Sequence, residues 1–207
     1  MKLYSFSGSC ALASHIAFEW SGNPYTLELI KKDDLDSAKF KQMNPSHHVP
    51  ILEGDGWVLD QNAAILSYIA DIAPDAKLDG DGTPLGRAEV NRWLGLVNSE
   101  IHPAYKPLFG ATAYLGDEAA IEKTKDDARA KLRRMFERCN DQLGKHAWIA
   151  GDTRSIADAY LFVVLRWARG VKLDLSGLEN LRKFEHQMRA DAGVQHALKA
   201  QGLDQKS

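Results

Sequence analysis

Cysteine is scarce in this chain of 207 residues. Only Cys10 and Cys139 occur, far apart and without CxxC spacing, so neither a disulfide framework nor a zinc site is supported. Long apolar runs are missing as well: the longest, Ala159 to Leu165, stops at Arg166, far short of the roughly 18 to 20 residues that a bilayer span requires. Neither sign of charge prevails, since 26 Lys and Arg face 28 Asp and Glu for a net charge of −2, and no block of like charges occurs. Nucleic acid and membrane surfaces are therefore not expected partners. The N-terminus has neither the basic leader nor the apolar segment of a secretory signal, and a cytoplasmic address is expected. Internal repeats and low-complexity segments are not seen. What is present is an ordinary globular mix, 44% hydrophobic and 26% charged, enough to bury a core in one large domain or two small ones.

The first 78 residues alternate short β-like and helical patterns. Leu3 to Phe6 reads as a strand, Ser7 to Cys10 as a turn, and Ala11 to Trp20 as a helix stopped by Ser21-Gly22. Tyr25 to Leu29 is a second strand, Asp36 to Gln42 a weak helix, and Asn44-Pro45 a turn. Val49 to Leu52 and Trp57 to Leu59 flank Gly54-Asp55-Gly56 as an antiparallel hairpin, and a helix from Asn62 to Ala73 ends before Pro74. The order βαβαββα implies a parallel first pair joined by a right-handed crossover. Residues 79–86, rich in Gly and Pro, read as a linker to residues 87–207. There the period turns helical: Val90, Trp93, Leu94, Val97 and Ile101 form one stripe, and Ala128, Leu132, Met135, Cys139 and Leu143 another. Ile156 to Ala168 is apolar almost all round, as befits the central helix of a bundle.

Several residues can carry chemistry. Cys10 lies at a strand–turn–helix junction behind Gly8, where free amides and the helix dipole favour an anion, so its thiol is expected to ionise easily; the rival reading is a small buried hydrophobe. Cys139 falls on an apolar stripe and reads as core. Pro50 opens a strand; a cis Val49-Pro50 bond would turn the Val49 backbone toward an extended peptide-like ligand, and a plain edge-strand proline is the alternative. Gln61 and Asn62 open a helix whose free amides suit a carboxylate, against simple capping by Asp60 or Asn62. His47 and His48 are adjacent and converge poorly on a metal, and Asp79 to Gly82 lacks the later ligands of a calcium loop. Ser155-Ile156-Ala157-Asp158 fits a capping box with Asp in the Glu role. His102 ends a stripe before Pro103, close to Tyr105 and Phe109, and reads either as a pocket residue or as a polar helix end.

Taken together, the set resembles the bacterial glutathione transferases, and among them the beta class. The resemblance rests on Met1-Lys2-Leu3-Tyr4 with Gly8-Ser9-Cys10-Ala11-Leu12-Ala13-Ser14-His15-Ile16, on Asn44-Pro45 and Val49-Pro50, and on Glu100-Ile101-His102 with Pro107-Leu108-Phe109. Trp148 to Gly151, Ile156 to Phe162, Leu165 to Ala168 and Val171 to Leu173 extend it nearly end to end. It implies a thioredoxin-like N-terminal domain, an all-helical C-terminal domain, and a homodimer that uses glutathione as co-substrate. By position, Cys10 matches the cysteine beside the glutathione sulfur and Val49, before Pro50, the residue pairing with the cysteinyl unit. Gln61 and Asn62 match the γ-glutamyl site, Lys32 a lysine near the glycyl end, His102 the histidine near the sulfur, and Glu100 an acidic residue reaching the partner's site. Three departures stand out: Gln61 replaces the usual acidic residue, Pro103 a lysine, and Ala11 a serine. The implied reaction is conjugation of glutathione to a small hydrophobic electrophile resting against Tyr105, Phe109 and Trp167, with no metal. The rival expectations are a thiol–disulfide reductase using Cys10, and a non-catalytic binding module.

Overall fold

The structure, a computed structural model, describes residues 1–204, with the side chains of Lys32 and Lys39 outside the description. Strand β1 (Lys2–Ser5) alternates its side chains between two cores, Leu3 entering the main one and Tyr4 a smaller one on the other face of the sheet. Helix α1 (Ala11–Ser21) leads to β2 (Thr26–Leu29), which pairs parallel to β1. A 3₁₀ turn at Lys32–Asp36 and the short α2 (Ala38–Met43) precede the hairpin of β3 (Ile51–Gly54) and β4 (Trp57–Asp60). The sheet order is β2-β1-β3-β4, with β3 antiparallel to both neighbours. Its register sets Leu3 opposite Leu52 and Tyr4 opposite Ile51, so each pair shares a core. Helix α3 (Asn62–Asp71) closes this unit two residues earlier than the sequence pattern suggests, and Pro74 then starts a 3₁₀ turn. The βαβαββα reading of the first unit therefore holds.

Helix α4 (Pro84–Leu96) begins inside the 79–86 segment, with Thr83 as N-cap and Pro84 in the first turn. The apolar stripe through Ile101 is not one regular helix. Val97–Ile101 forms a π-turn in which the His102 amide reaches back to the Val97 carbonyl, and α5 (His102–Ala104) follows. Pro103 has no amide to continue an α-type ladder, which accounts for the break. Helices α6 (Glu118–Leu143), α7 (Ile156–Gly170), α8 (Glu179–Ala190) and α9 (Ala192–Ala200) complete an all-helical unit. The fold is thus a four-stranded mixed sheet with its helices, followed by helices alone.

The two units share one continuous core. Helix α1 packs on α3 on one side and on α7 and α9 on the other, which explains why nearly every one of its side chains is buried. Helix α7 is central, buried from Ile156 through Leu165, and its N-terminus carries the expected capping box. Asp158, fully buried, accepts hydrogen bonds from the amides of Ile149 and Ser155 and from the Ser155 hydroxyl. Burial pushes its carboxyl up to about 6 against the pull of those donors. Cys139 is fully buried among apolar neighbours, as its stripe implies. No helix among the described residues is long and apolar enough to cross a membrane.

Candidate functional site

The turn after β1 brings Cys10 to the start of α1, where no side chain caps the helix. Gly8 adopts φ +77, a left-handed conformation that glycine reaches without Cβ strain. Three contacts from the helical unit fix this turn: the Trp167 indole donates to the Gly8 carbonyl (2.9 Å), the Gly8 amide donates to Gln201 Oε1 (3.2 Å), and the Ser7 hydroxyl donates to the Gln201 carbonyl (2.6 Å). The Gln201 amide nitrogen lies 3.1 Å from His15 Nδ1, so Nδ1 accepts and the His15 proton sits on Nε2, facing Glu19 at 3.7 Å. Burial holds His15 down at about 4, so it is neutral.

The Val49–Pro50 bond is cis, and Pro50 is buried. Asn44 holds the approach to it, accepting from the Ser46 amide and donating to the His48 carbonyl, while His47 takes a positive φ of 55. Val49 thereby sets its carbonyl against Cys10, whose thiol donates to it at 3.4 Å. This corrects the expectation of an easily ionised thiol. Burial pushes Cys10 up to about 12; the amides of Cys10 and Ala11 pull it down but do not offset the desolvation. A hydrogen bond donated by the neutral thiol acts in the same direction.

Helix α3 opens beside this junction. Gln61 stands before it at φ 70, ψ 113, a backbone region that favours glycine, and contributes no side-chain cap. The first-turn amides of α3 therefore lack a capping side chain, which removes the simple capping reading. Asn62 is nearly buried: its Oδ1 accepts from the Ser14 hydroxyl (2.6 Å) and its Nδ2 donates to the Cys10 carbonyl (3.1 Å). Its side chain ties α3 to α1.

On the helical unit, the π-turn leads into His102. Its Nδ1 lies 2.6 Å from the Tyr160 hydroxyl, and its ring stands edge-on to Trp167 with centroids 4.8 Å apart. Burial lowers its pKa to about 4, with Lys106 and His48 adding repulsion, so the ring is neutral. Tyr160 is a partner of His102 that the sequence did not reveal, because it sits within an apolar run that reads as core. The one available signal was its hydroxyl, which a buried helix must pair with something. Trp167 and Phe109 pack edge to face at 5.5 Å, and Phe109 is 56% exposed. Tyr105 is fully buried: it stacks beneath Phe109 and donates to the Val164 carbonyl, so it supports this wall and does not line it. A cleft of about 420 Å³ opens here, lined among others by Gly8, Leu108, Phe109, Arg166, Trp167 and Leu203. Glu100 is exposed on the π-turn, and Lys32 opens the 3₁₀ turn with its side chain outside the described residues. Among the described residues no cluster of three or more His, Cys, Asp or Glu is arranged to hold a metal.

Two family models match the chain: the N-terminal domain of glutathione S-transferases over residues 8–72 and their C-terminal domain over residues 118–186. Glutathione S-transferase GST-4.5 of Xanthomonas campestris pv. campestris is 50% identical over 204 residues, covering 99% of this chain and all of that protein. The solved glutathione-S-transferase from Xylella fastidiosa superposes with a TM-score of 0.96 at 48% identity over 98% of both chains. The beta class glutathione S-transferase of Sphingomonas chungbukensis does so with 0.86 at 34% identity, over 98% of this chain and 100% of that one. These likenesses favour neither the reductase nor the non-catalytic expectation. With both halves matched and such identity along its whole length, the chain belongs to the glutathione S-transferase family.

Proposed function

We propose that the protein conjugates reduced glutathione to small hydrophobic electrophiles through the junction of Cys10, Val49 and α3. The observation that carries this reading is the meeting of the Cys10 thiol, the Val49 carbonyl and the start of α3 at the start of α1, two residues from Gly8, which lines an aromatic-walled cleft. The α3 amides suit the γ-glutamyl carboxylate, and Val49, with Pro50 fixing its exit, suits the cysteinyl backbone. A free thiol with a pKa near ~8.5 is mostly protonated at neutrality, and each unit of lowering gains about 1.4 kcal/mol for the thiolate. A bound thiolate would take the Cys10 S–H in place of the Val49 carbonyl, and His102, neutral and anchored by Tyr160, is the further donor of the proposal. The electrophile rests on Phe109 and Trp167.

The neutral Cys10 counts against thiol–disulfide exchange, which needs a thiolate nucleophile. We place the reaction in the cytoplasm and in a homodimer. Trp57 and Val58 on the edge strand β4 and Leu85 on α4 are exposed apolar side chains that a second copy would cover, with Glu100 near the partner's site. Retention on immobilised glutathione, with conjugation of 1-chloro-2,4-dinitrobenzene above the uncatalysed rate, is the expected result. Failure of both would remove the reading, and sedimentation of a monomer at micromolar concentration would remove the dimer.

A further inference from the structure

Arg166 lines the cleft beside Trp167, yet no hydrogen bond or ion pair of its guanidinium occurs among the described residues, and its Nε is buried without a partner. The carboxylate that attracts it, Glu185, is already committed. Glu185, 8% exposed, gives Oε2 to Arg169 at 2.9 Å and Oε1 to Arg189 at 3.0 Å. Two arginines thus take both oxygens of that carboxylate, and Arg166, which lines the cleft, makes no ion pair with it. Burial, and then repulsion from Arg189 and Arg169, weaken the hold of Arg166 on its proton, and the attraction of Glu185 offsets this only in part. Every other side chain lining the cleft is apolar: Leu108, Phe109, Trp167, Val171 and Leu203. A partly buried cation with no ion pair of its own is costly, and an unsatisfied buried donor calls for a group that completes it. An apolar pocket with one convergent charge fixes the orientation of an amphipathic anion.

We propose that the electrophile this enzyme takes carries a carboxylate, which Arg166 receives while the apolar body of the molecule lies on Phe109 and Trp167. The inference rests on the reading that this cleft accepts the electrophile. It makes Arg166 a specificity-determining residue, selecting anionic acceptors over neutral ones of the same shape.

The test is a matched pair, 4-chloro-3-nitrobenzoate and 4-chloro-3-nitrobenzamide. In both, the glutathione sulfur bonds to the ring carbon that bears chlorine, the C–Cl bond breaks, chloride leaves with the bonding pair, and the thiol proton passes to the buffer. Each kcat/KM is divided by the uncatalysed rate constant of the same compound, which removes the difference in ring activation. The protein is expected to favour the benzoate. In Arg166→Gln the benzoate-to-benzamide ratio is expected to fall on the order of 10- to 100-fold, the range for losing a charge-assisted hydrogen bond, with the loss mainly in KM. Arg166→Lys should restore part of it, because a merely structural arginine would change both substrates together. A ratio that moves less than threefold in Arg166→Gln, or a protein that prefers the benzamide, overturns the inference while leaving conjugation standing. Turnover of neither compound, nor of 1-chloro-2,4-dinitrobenzene, removes both.

Discussion

Cys10 carries two opposing influences, and the magnitudes decide between them. Its position at the start of α1 supplies amides that favour a thiolate, but burial against the Val49 carbonyl prevails and raises the thiol to about 12. Alkylation by iodoacetamide at pH 7.5 is therefore expected to be far slower than that of a free cysteine; a rate matching free cysteine would contradict the burial argument. Because the proposal gives the thiol a single hydrogen bond to the bound sulfur, Cys10→Ala is expected to lower conjugation of 1-chloro-2,4-dinitrobenzene by no more than about 10-fold, close to the ~1 kcal/mol of a single bond. Loss of all turnover would make Cys10 a nucleophile after all. Gln61 offers the converse experiment. In the proposed site it stands where the family resemblance expects an acidic residue facing the ligand's ammonium, so Gln61→Glu is expected to tighten glutathione binding about 3- to 10-fold by calorimetry.

Helix ends position the site, and α7 is the element on which most depends. It carries Tyr160, Arg166 and Trp167 on one rigid rod whose N-terminus is locked by Asp158. Asp158→Ala would strand three buried donors, the amides of Ile149 and Ser155 and the Ser155 hydroxyl. The expected loss is on the order of 3 kcal/mol or more. For a chain of this size that lowers Tm by about 6 to 12 °C in a thermal melt. The capping box was legible because Ser and Asp three apart just before an apolar run have few other uses. The π-turn was not: the stripe from Val90 to Ile101 keeps its spacing through the irregularity, and only the missing amide of Pro103, competing with the backbone ladder, hints that the His102 end is re-aimed.

At the scale of the whole molecule, the protein buries ionisable groups where its two units meet, and this sets its response to acid. His15 and His102 both fall from 6.5 to about 4 on folding, so between those values the unfolded chain binds two more protons than the folded one. Asp158 works the other way, rising from 3.8 to about 6, so the folded state keeps one more proton there. From these three groups the net difference between about pH 4 and 6 is one proton in favour of the unfolded chain. Stability should accordingly fall as the pH drops, by about 1.4 kcal/mol per unit. Urea unfolding across this range should show that slope, and His15→Gln should flatten it. An unchanged slope in the variant would mean that His15 is not held neutral.

The sequence by itself determined the order of elements, because alternation of short apolar runs with Gly- and Pro-marked turns leaves few other arrangements, and it determined Cys10, the Val49-Pro50 corner and the opening of α3 as candidates. Local residue order carries that information. Tertiary structure alone decided which of these groups meet and in what state they are held. Gln201 reaches Gly8 across more than 190 residues, Tyr160 reaches His102 across 58, and Glu185 pairs with Arg169 and Arg189, not with Arg166. Ionisation, hydrogen-bond saturation and the charge of the cleft depend on distances through space and on exclusion of water. Neither quantity exists until the helical unit closes over α1.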